Sequence, residues 1–302
     1  MTLDRVGCVV NPASGEGRGR ALLGDLRGLF PDSDLAATVT ERAAAVPEAA
    51  RAHADAGVDL LVVVGGDGTV GEVAGALAGE DAPPLFVVPA GRGNSVYRHC
   101  YGDAAWRDVA RDLTRGIDAQ PLDLGEIRAD PPVDRRAFVL GFTAGLFRSA
   151  LDAADAMRFL PGPLAYLLGT ARAAVSDPPL EVTVTVDDTE RFDGSARLVA
   201  VGGGRYRGNA FELLPDSRPG DGRLHALVVE STSAREWIRL ARLARDGDHV
   251  AHPAVHYWQG ETVGLRAADP LPVEADGTVL TPVRDAQLRV RPGAVRLAVP
   301  AR

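Results

Sequence analysis

Three short segments of the sequence concentrate groups able to hold an anion. They are Asn11-Pro12-Ala13-Ser14-Gly15, Gly65-Gly66-Asp67-Gly68-Thr69 and Pro89-Ala90-Gly91-Arg92-Gly93-Asn94-Ser95. The first offers backbone amides and a hydroxyl just ahead of a helix, whose N-terminus carries partial positive charge. The second crowds glycines around one carboxylate. Glycine lets a backbone approach a ligand closely, and Asp67 could hold a magnesium-bound phosphate or take a proton. The third adds Arg92, whose guanidinium can fork two phosphate oxygens. Each segment alone would pass for a plain turn; together they describe a phosphate-handling site.

The elements that must position these segments are legible as hydrophobic patterns. Arg5–Val10 reads as a buried strand, and Leu22, Leu26, Leu29 and Phe30 then share one helix face. A second strand over Asp59–Val64 precedes a helix with Val70, Val73, Ala74 and Leu77 at i, i+3, i+4 and i+7, and a third strand covers Leu85–Val88. Continuous apolar strands separated by helices predict a parallel sheet covered on both faces, with ligands at the carboxyl ends of its strands. Beyond Asp123, alternation replaces continuous runs, in Glu181–Val186 and around Leu198, Val228, Val263, Leu288 and Leu297. That pattern predicts an antiparallel β-sandwich with two inserted helices, Leu164–Val175 and Arg235–Arg245. The expected division is 1–123 for the α/β domain and 124–302 for the β-sandwich, with the substrate cleft between them.

Composition excludes several chemistries. The chain has no lysine, so all 33 basic residues are arginines. A P-loop kinase and a Schiff-base enzyme both require lysine and are ruled out. The net charge of −8 disfavours nucleic acid as a partner. Two cysteines make no disulfide framework, and residues 1–20 contain no signal-peptide hydrophobic region, so a reducing, cytoplasmic location is expected.

With Glu72 following the second segment, the three blocks resemble in order and spacing the signature blocks of the diacylglycerol kinase catalytic domain, shared by bacterial soluble lipid kinases and by sphingosine and ceramide kinases. The resemblance continues through Thr40, Leu122-Asp123-Leu124-Gly125, Gly162-Pro163, Ala165-Tyr166, Pro215, Asp221-Gly222, His249, His252-Pro253 and Asp276-Gly277, and so spans essentially the whole chain. It implies an N-terminal domain related to those of NAD kinases and phosphofructokinases, joined to a β-sandwich. It also implies ATP and Mg²⁺ as cofactors and γ-phosphoryl transfer to a lipid hydroxyl of the diacylglycerol or sphingoid type. Asp67 and Asp123 take the catalytic positions. Asn11, Pro12, Ser14, Gly15, Thr40, Gly65, Gly66, Gly68, Thr69, Glu72, Arg92, Gly93, Asn94, Asp276 and Gly277 take the nucleotide-binding ones. Asp221, with the carbonyls of Arg218 and Arg223, corresponds to a structural magnesium site. A lipid or other alcohol substrate, a transient membrane-surface contact and a homodimer are the compatible partners.

Three positions depart from the family pattern. Thr278 stands where bacterial members carry the glutamate thought to deprotonate the lipid hydroxyl, and a threonine cannot act as a base near neutral pH. Asp67 is the first replacement, followed by Asp123 and Asp276. Arg92 replaces the usual threonine, and Ser95 stands where many bacterial members have aspartate. These departures keep two alternatives open, a kinase for a non-lipid alcohol of specialised metabolism and a nucleotide-binding pseudokinase.

Other candidates are read as structural. His249, His252 and His256 have spacing that could suggest zinc, but Pro253 stops a helix there and no cysteine accompanies them. Arg135-Arg136 and the Arg205, Arg207 pair read as solvated arginines, with Arg205, after a run of three glycines, the better candidate for facing the cleft, and Asp187-Asp188 is a hairpin turn. The apolar stretch from Phe159 to Leu168 is either a buried helix or a wall that meets lipid.

Overall fold

The computed structural model describes residues 3–12, 14, 18–79, 81–91, 93–134, 137–145, 178–208 and 211–301. Gly15, Arg92, Arg135, Arg136 and the apolar stretch around 159–175 lie outside the described residues. The chain forms two compact units. Unit 1 comprises Met1–Leu124, Arg218–Asp221 and Arg291–Arg302; unit 2 comprises Gly125–Ser217 and Gly222–Val290. A single cut after 123 therefore leaves out two later segments that fold with unit 1.

Unit 1 is an α/β layer built on β1 (Arg5–Val10), α1 (Arg18–Leu29), β2 (Asp34–Val39), α2 (Val46–Asp55), β3 (Leu60–Gly65), α3 (Asp67–Leu77), β4 (Leu85–Pro89), α4 (Ser95–Tyr101), α5 (Trp106–Leu113) and the start of β5 (Ile117–Asp130). The sheet order is β2-β1-β3-β4, all parallel, with Cys8 opposite Val62 and Val62 opposite Phe86. Val6, Val9, Val10, all of Leu60–Val64 and Phe86 are inaccessible to solvent, as a sheet covered on both faces requires. Helices α2 and α3 pack on each other and on β1 and β3, while α1 packs on α5, β2 and β3. The buried stripe of α5 is Trp106, Val109, Ala110 and Leu113, and that of α2 is Val46, Ala49, Ala50 and His53, both at i, i+3, i+4, i+7. His53 remains within that stripe because its Nε2 meets Thr38 Oγ1 at 3.0 Å, and burial lowers its pKa.

Unit 2 holds the rest of β5, then β6 (Ala137–Phe138), β7 (Phe142–Gly145), β8 (Leu180–Val186), β9 (Thr189–Gly202), β10 (Tyr206–Arg207), β11 (Phe211–Glu212), β12 (Leu224–Glu230), α6 (Ala234–Leu243), β13 (Val255–Gly260), β14 (Thr262–Leu271), β15 (Val273–Ala275), β16 (Thr278–Val279) and the first part of β17 (Val283–Pro300). It is a β-sandwich whose main path runs β16-β15-β7-β9-β8-β14-β17, with β12 on β9 and β13 on β12. Alternation along β9 divides two cores. Val199 and Val201 join the cluster of Val184, Val263 and Leu288, whereas Leu198 and Ala200 join Leu227, Trp237 and Leu240, the last two from α6. Asp187 and Asp188 have φ of 48° and 58° and make the two-residue β8–β9 turn.

β17 begins in unit 2, paired antiparallel with β14, and ends in unit 1, where Leu297 pairs parallel with Leu85 of β4. Arg296 adds a hydrogen bond from Nε to the Ala82 carbonyl at 3.1 Å. Among the described residues no helix is long and apolar enough to cross a membrane.

Candidate functional site

The parallel register of unit 1 brings the three glycine-rich segments out side by side. The hydrogen-bond ladder continues one residue past the strands: Asn11 N–H donates to the Val64 carbonyl at 3.1 Å, and Ala90 N–H to that of Gly65 at 3.0 Å. Thr40 leaves β2 in the same row, its N–H donating to the Val10 carbonyl at 3.0 Å and its hydroxyl to the same oxygen at 3.3 Å.

Thr69, buried in the first turn of α3, ties the first segment to the second. Its Oγ1 accepts from Asn11 Nδ2 at 2.9 Å and lies 3.4 Å from Ser14 Oγ. Gly65 is required by the same contact, since a Cβ there would lie 2.5 Å from Thr69 Cβ. The second and third segments meet backbone to backbone, because a Cβ on Gly91 would fall 2.5 Å from Gly66 Cα. The third segment is closed by Asn94. With φ of 50°, it accepts from Gly91 N–H at 2.8 Å and returns Nδ2 to the Gly91 carbonyl at 2.9 Å. Asparagine tolerates this left-handed conformation better than most residues.

Asp67 is the first residue of α3, where the helix dipole favours its negative charge. Its Oδ1 accepts from Val96 N–H at 2.9 Å, so the carboxylate also fastens the start of α4. Pro12, Gly68, Glu72 and Gly93 are half-buried around this centre. The two-glycine contact makes a specific prediction. Gly91→Ala forces a methyl group into the Gly66 backbone, so the loops must separate, and affinity for ATP, the cofactor the sequence resemblance implies, should fall about tenfold or more by calorimetry while the protein remains folded by circular dichroism.

The remaining candidates occupy other places. Asp123 is buried in β5, and its Oδ1 accepts from the Gly293 N–H of β17 at 2.7 Å, both in unit 1. Asp221 closes a turn with Arg218: Arg218 N–H donates to its Oδ2 at 3.0 Å, and its own N–H returns to the Arg218 carbonyl at 3.3 Å. Pro219 and Gly220, the latter with φ of 70°, suit the two central positions of that turn. Arg223 is exposed. His249 Nε2 meets the Leu213 carbonyl, His252 Nε2 meets Glu236 and His256 Nε2 meets Glu230, so the three histidines take separate partners. Arg205 is forked on Glu212 at 3.1 and 2.8 Å, and Arg207, expected to be solvated, is instead buried, its Nη1 donating to the Gly204 carbonyl at 3.1 Å.

Asp276 and Gly277 form the β15–β16 turn, with φ of 46° and 80°. Asp276 points inward. Its Oδ2 accepts from Val139 N–H at 2.9 Å, and its Oδ1 from Leu140 and Gly141 N–H at 2.8 and 3.0 Å. Thr278, the position of the expected base, is exposed.

One residue absent from the sequence reading stands out. Glu274 of β15 is 3% exposed. Its Oε1 accepts from Thr143 Oγ1 and its Oε2 from Gly277 N–H, both at 2.6 Å. Burial pushes its carboxyl above the ordinary range, opposed by the Thr143 hydroxyl, the buried Arg207 guanidinium and the Gly277 amide. Its strand lies among alternating residues that gave no sign of an inward-facing carboxylate. The Asp-Gly pair after it, a strong hairpin signal, could have fixed the register that reveals it.

A parallel α/β unit with glycine-rich loops at its strand ends, in one chain with a β-sandwich, is the NAD-kinase-like architecture. Residues 5–127 match the diacylglycerol kinase catalytic domain, and residues 142–299 match the YegS C-terminal NAD kinase beta sandwich-like domain. The chain belongs to the diacylglycerol kinase catalytic-domain family, and its enzyme class is the family's, ATP-dependent lipid kinase. It is 26% identical over 286 residues to the diacylglycerol kinase of Bacillus subtilis strain 168, covering 91% of this chain and 90% of that protein. It is 28% identical over 244 residues to the diacylglycerol kinase of Mycobacterium tuberculosis, covering 81% and 78%. The fold matches a crystal structure of a diacylglycerol kinase from Bacillus anthracis strain Sterne with a TM-score of 0.71 at 21% identity, over 99% of this chain and 98% of that one. Yeast NADH kinase in complex with NADH matches with a TM-score of 0.52 at 9% identity, over 100% and 84%.

Proposed function

We propose that the chain transfers the γ-phosphoryl group of ATP to a hydroxyl of a lipid, of the diacylglycerol or sphingoid type, at the loops that follow β1, β3 and β4. The observation that supports it most is the linkage of those loops into one unit: Thr69 holds Asn11 beside Ser14, Gly66 touches Gly91, and Asp67 reaches Val96. Backbone amides and hydroxyls there suit the oxygens of a triphosphate, and the Gly66–Gly91 contact keeps side chains out of the space between the strand ends. ATP, when bound, supplies the transferred group, and Mg²⁺ supplies charge that draws electron density from it.

This chain's residues then do three things. The amides that follow β1 and β4, with Asn11, bind and orient the phosphates. Asp67 accepts the proton of the acceptor hydroxyl as its oxygen attacks phosphorus, which fits the loss of the usual glutamate at Thr278. Asp123 holds β5 to β17. For magnesium, the donors offered are oxygens, as this ion prefers. Asp221 contributes a carboxylate already engaged within its own turn, which suits a largely hydrated structural ion rather than a closed cage.

The deciding experiment incubates the purified protein with γ-labelled ATP, magnesium and a panel of diacylglycerol, sphingoid base and non-lipid alcohols. Label on a lipid hydroxyl is expected. Label on a non-lipid alcohol only would move the acceptor outside lipids, and tight ATP binding without transfer to any acceptor would overturn the assignment.

A further inference from the structure

Helix α4, the element that Asp67 fastens, is only 7 residues long. A helix of that length measures roughly 10 Å from end to end and holds little structure of its own, so its place is set by what grips its two ends. The first end is gripped by the bond from Val96 N–H to Asp67 Oδ1 at 2.9 Å. The other is gripped by its final residue. Tyr101 donates its hydroxyl to the Ala298 carbonyl of β17 at 3.0 Å, with the Leu85 carbonyl of β4 at 3.5 Å. All of these residues belong to unit 1.

The tyrosine ring is packed as a phenylalanine would be, edge-on to Phe86 with centroids 5.8 Å apart and tilted on Tyr97 at 5.0 Å. What the hydroxyl adds is direction. Desolvation pushes the phenol well above its ordinary range, so the oxygen keeps its proton and donates. A ring held by packing alone can slide and turn on its neighbour, whereas a hydrogen bond to a strand carbonyl weakens steeply with both movements. Tyr97, one turn earlier, directs its own hydroxyl to the Ala104 carbonyl, past the helix end, and so ties α4 to the loop after it rather than to the sheet.

The pose of α4 bears on Asp67 in two ways. The Val96 amide turns with the helix; it aims the carboxylate, and a donor to a carboxylate favours the ionised form. The far turn of α4 also lies within reach of that charge: burial, and after it the charge of Asp67, push the Cys100 thiol up to about 12.

We propose that Tyr101 is a positioning residue for Asp67: by fixing the last turn of α4 to β17 and β4, its hydroxyl keeps the Val96 N–H on the Asp67 carboxylate. This rests on the functional reading above, in which Asp67 takes the proton of the acceptor hydroxyl. Tyr101→Phe removes the hydroxyl and keeps both ring contacts. Its kcat is followed across pH beside the wild type, with ATP and the acceptor that the labelling panel identifies. The acid limb should move up by about half to one pH unit, which is a loss of about three- to tenfold below the limb and less than about twofold on the plateau above it. KM for ATP should change less than about threefold, and the Val96 amide should exchange its hydrogen faster. Tyr97→Phe, which loses a hydroxyl from the same helix but not its link to the sheet, should leave the limb in place.

A double-mutant cycle separates this role from a merely structural one. Added to Asp67→Asn, Tyr101→Phe should change kcat less than about twofold, because the group it acts through is gone. Glu72 on α3 and Arg98, His99 and Cys100 on α4 also carry titratable side chains. A limb belonging to any of them would survive in the Asp67→Asn background. An unmoved limb in Tyr101→Phe, a loss equal at every pH, or the same loss with and without Asp67 would each overturn the inference while leaving the kinase reading intact. So would a Tyr101→Phe chain that does not fold, since the hydroxyl would then hold the whole unit rather than one helix. A wild type that phosphorylates no acceptor removes the functional reading itself, and this inference with it.

Discussion

Asp67→Asn should lower turnover by about 10²–10⁴-fold, the range general-base assistance supplies, while leaving the protein folded. The substitution removes one charge at constant size. An asparagine Oδ1 can still accept from Val96 N–H, so the link between α3 and α4 is preserved. The thermal transition should therefore match wild type, and ATP affinity measured by calorimetry should change far less than turnover. Asp67→Ala separates the two roles, because it loses the charge and also the acceptor at the start of α4, adding a stability cost of about 1 kcal/mol typical of a lost helix cap. A folded Asp67→Asn protein with near wild-type turnover would mean that another group takes the proton.

The largest expected effect on stability belongs to Asp276→Ala. Three backbone N–H groups lose their acceptor in a place water does not reach, and each buried donor left without a partner costs roughly 1–3 kcal/mol. Chemical denaturation should show a loss of about 3 kcal/mol or more for the transition of unit 2. Asp276→Asn should lose less, about 1–2 kcal/mol, because its oxygen can still accept from Leu140 and Gly141 while its NH₂ faces the Val139 donor. A loss below about 1 kcal/mol for alanine would show that this carboxylate is not the anchor its contacts describe.

The contrast between these two aspartates marks what could be read from sequence. The segments around Asp67 were legible because their strands are continuous apolar runs and their glycines are close together; β1 and β3 fall within a residue of the expected spans, and the helix after Gly66 begins at Asp67. β2 was not anticipated, since Asp34–Val39 is a half-exposed strand with two alanines and little hydrophobic signal. Helices α4 and α5 also escaped notice because both are short, although the apolar stripe of the second, Trp106, Val109, Ala110 and Leu113, is unbroken. The hydrogen-bond roles of Asp276 and Glu274 depend on cross-strand partners more than 130 positions away, at Val139–Gly141 and Thr143, which no local pattern encodes. The antiparallel strand Leu180–Val186 and helix Ala234–Leu243 lie within two residues of their expected bounds, because their periodicities are unbroken.

The path of β17 has a consequence for how the protein is made. On a ribosome, β4 emerges long before the segment that pairs with it; Ala82 and Arg296, joined by a hydrogen bond, are 214 positions apart. Throughout synthesis of unit 2, the nascent unit 1 presents β4, Leu-Phe-Val-Val-Pro, as an uncapped sheet edge. Such an edge is a template for pairing with other chains, and closing so distant a contact is slow. Crowded polysomes are thus the setting in which this fold is most exposed to aggregation, and the arrival of β17 ends that interval.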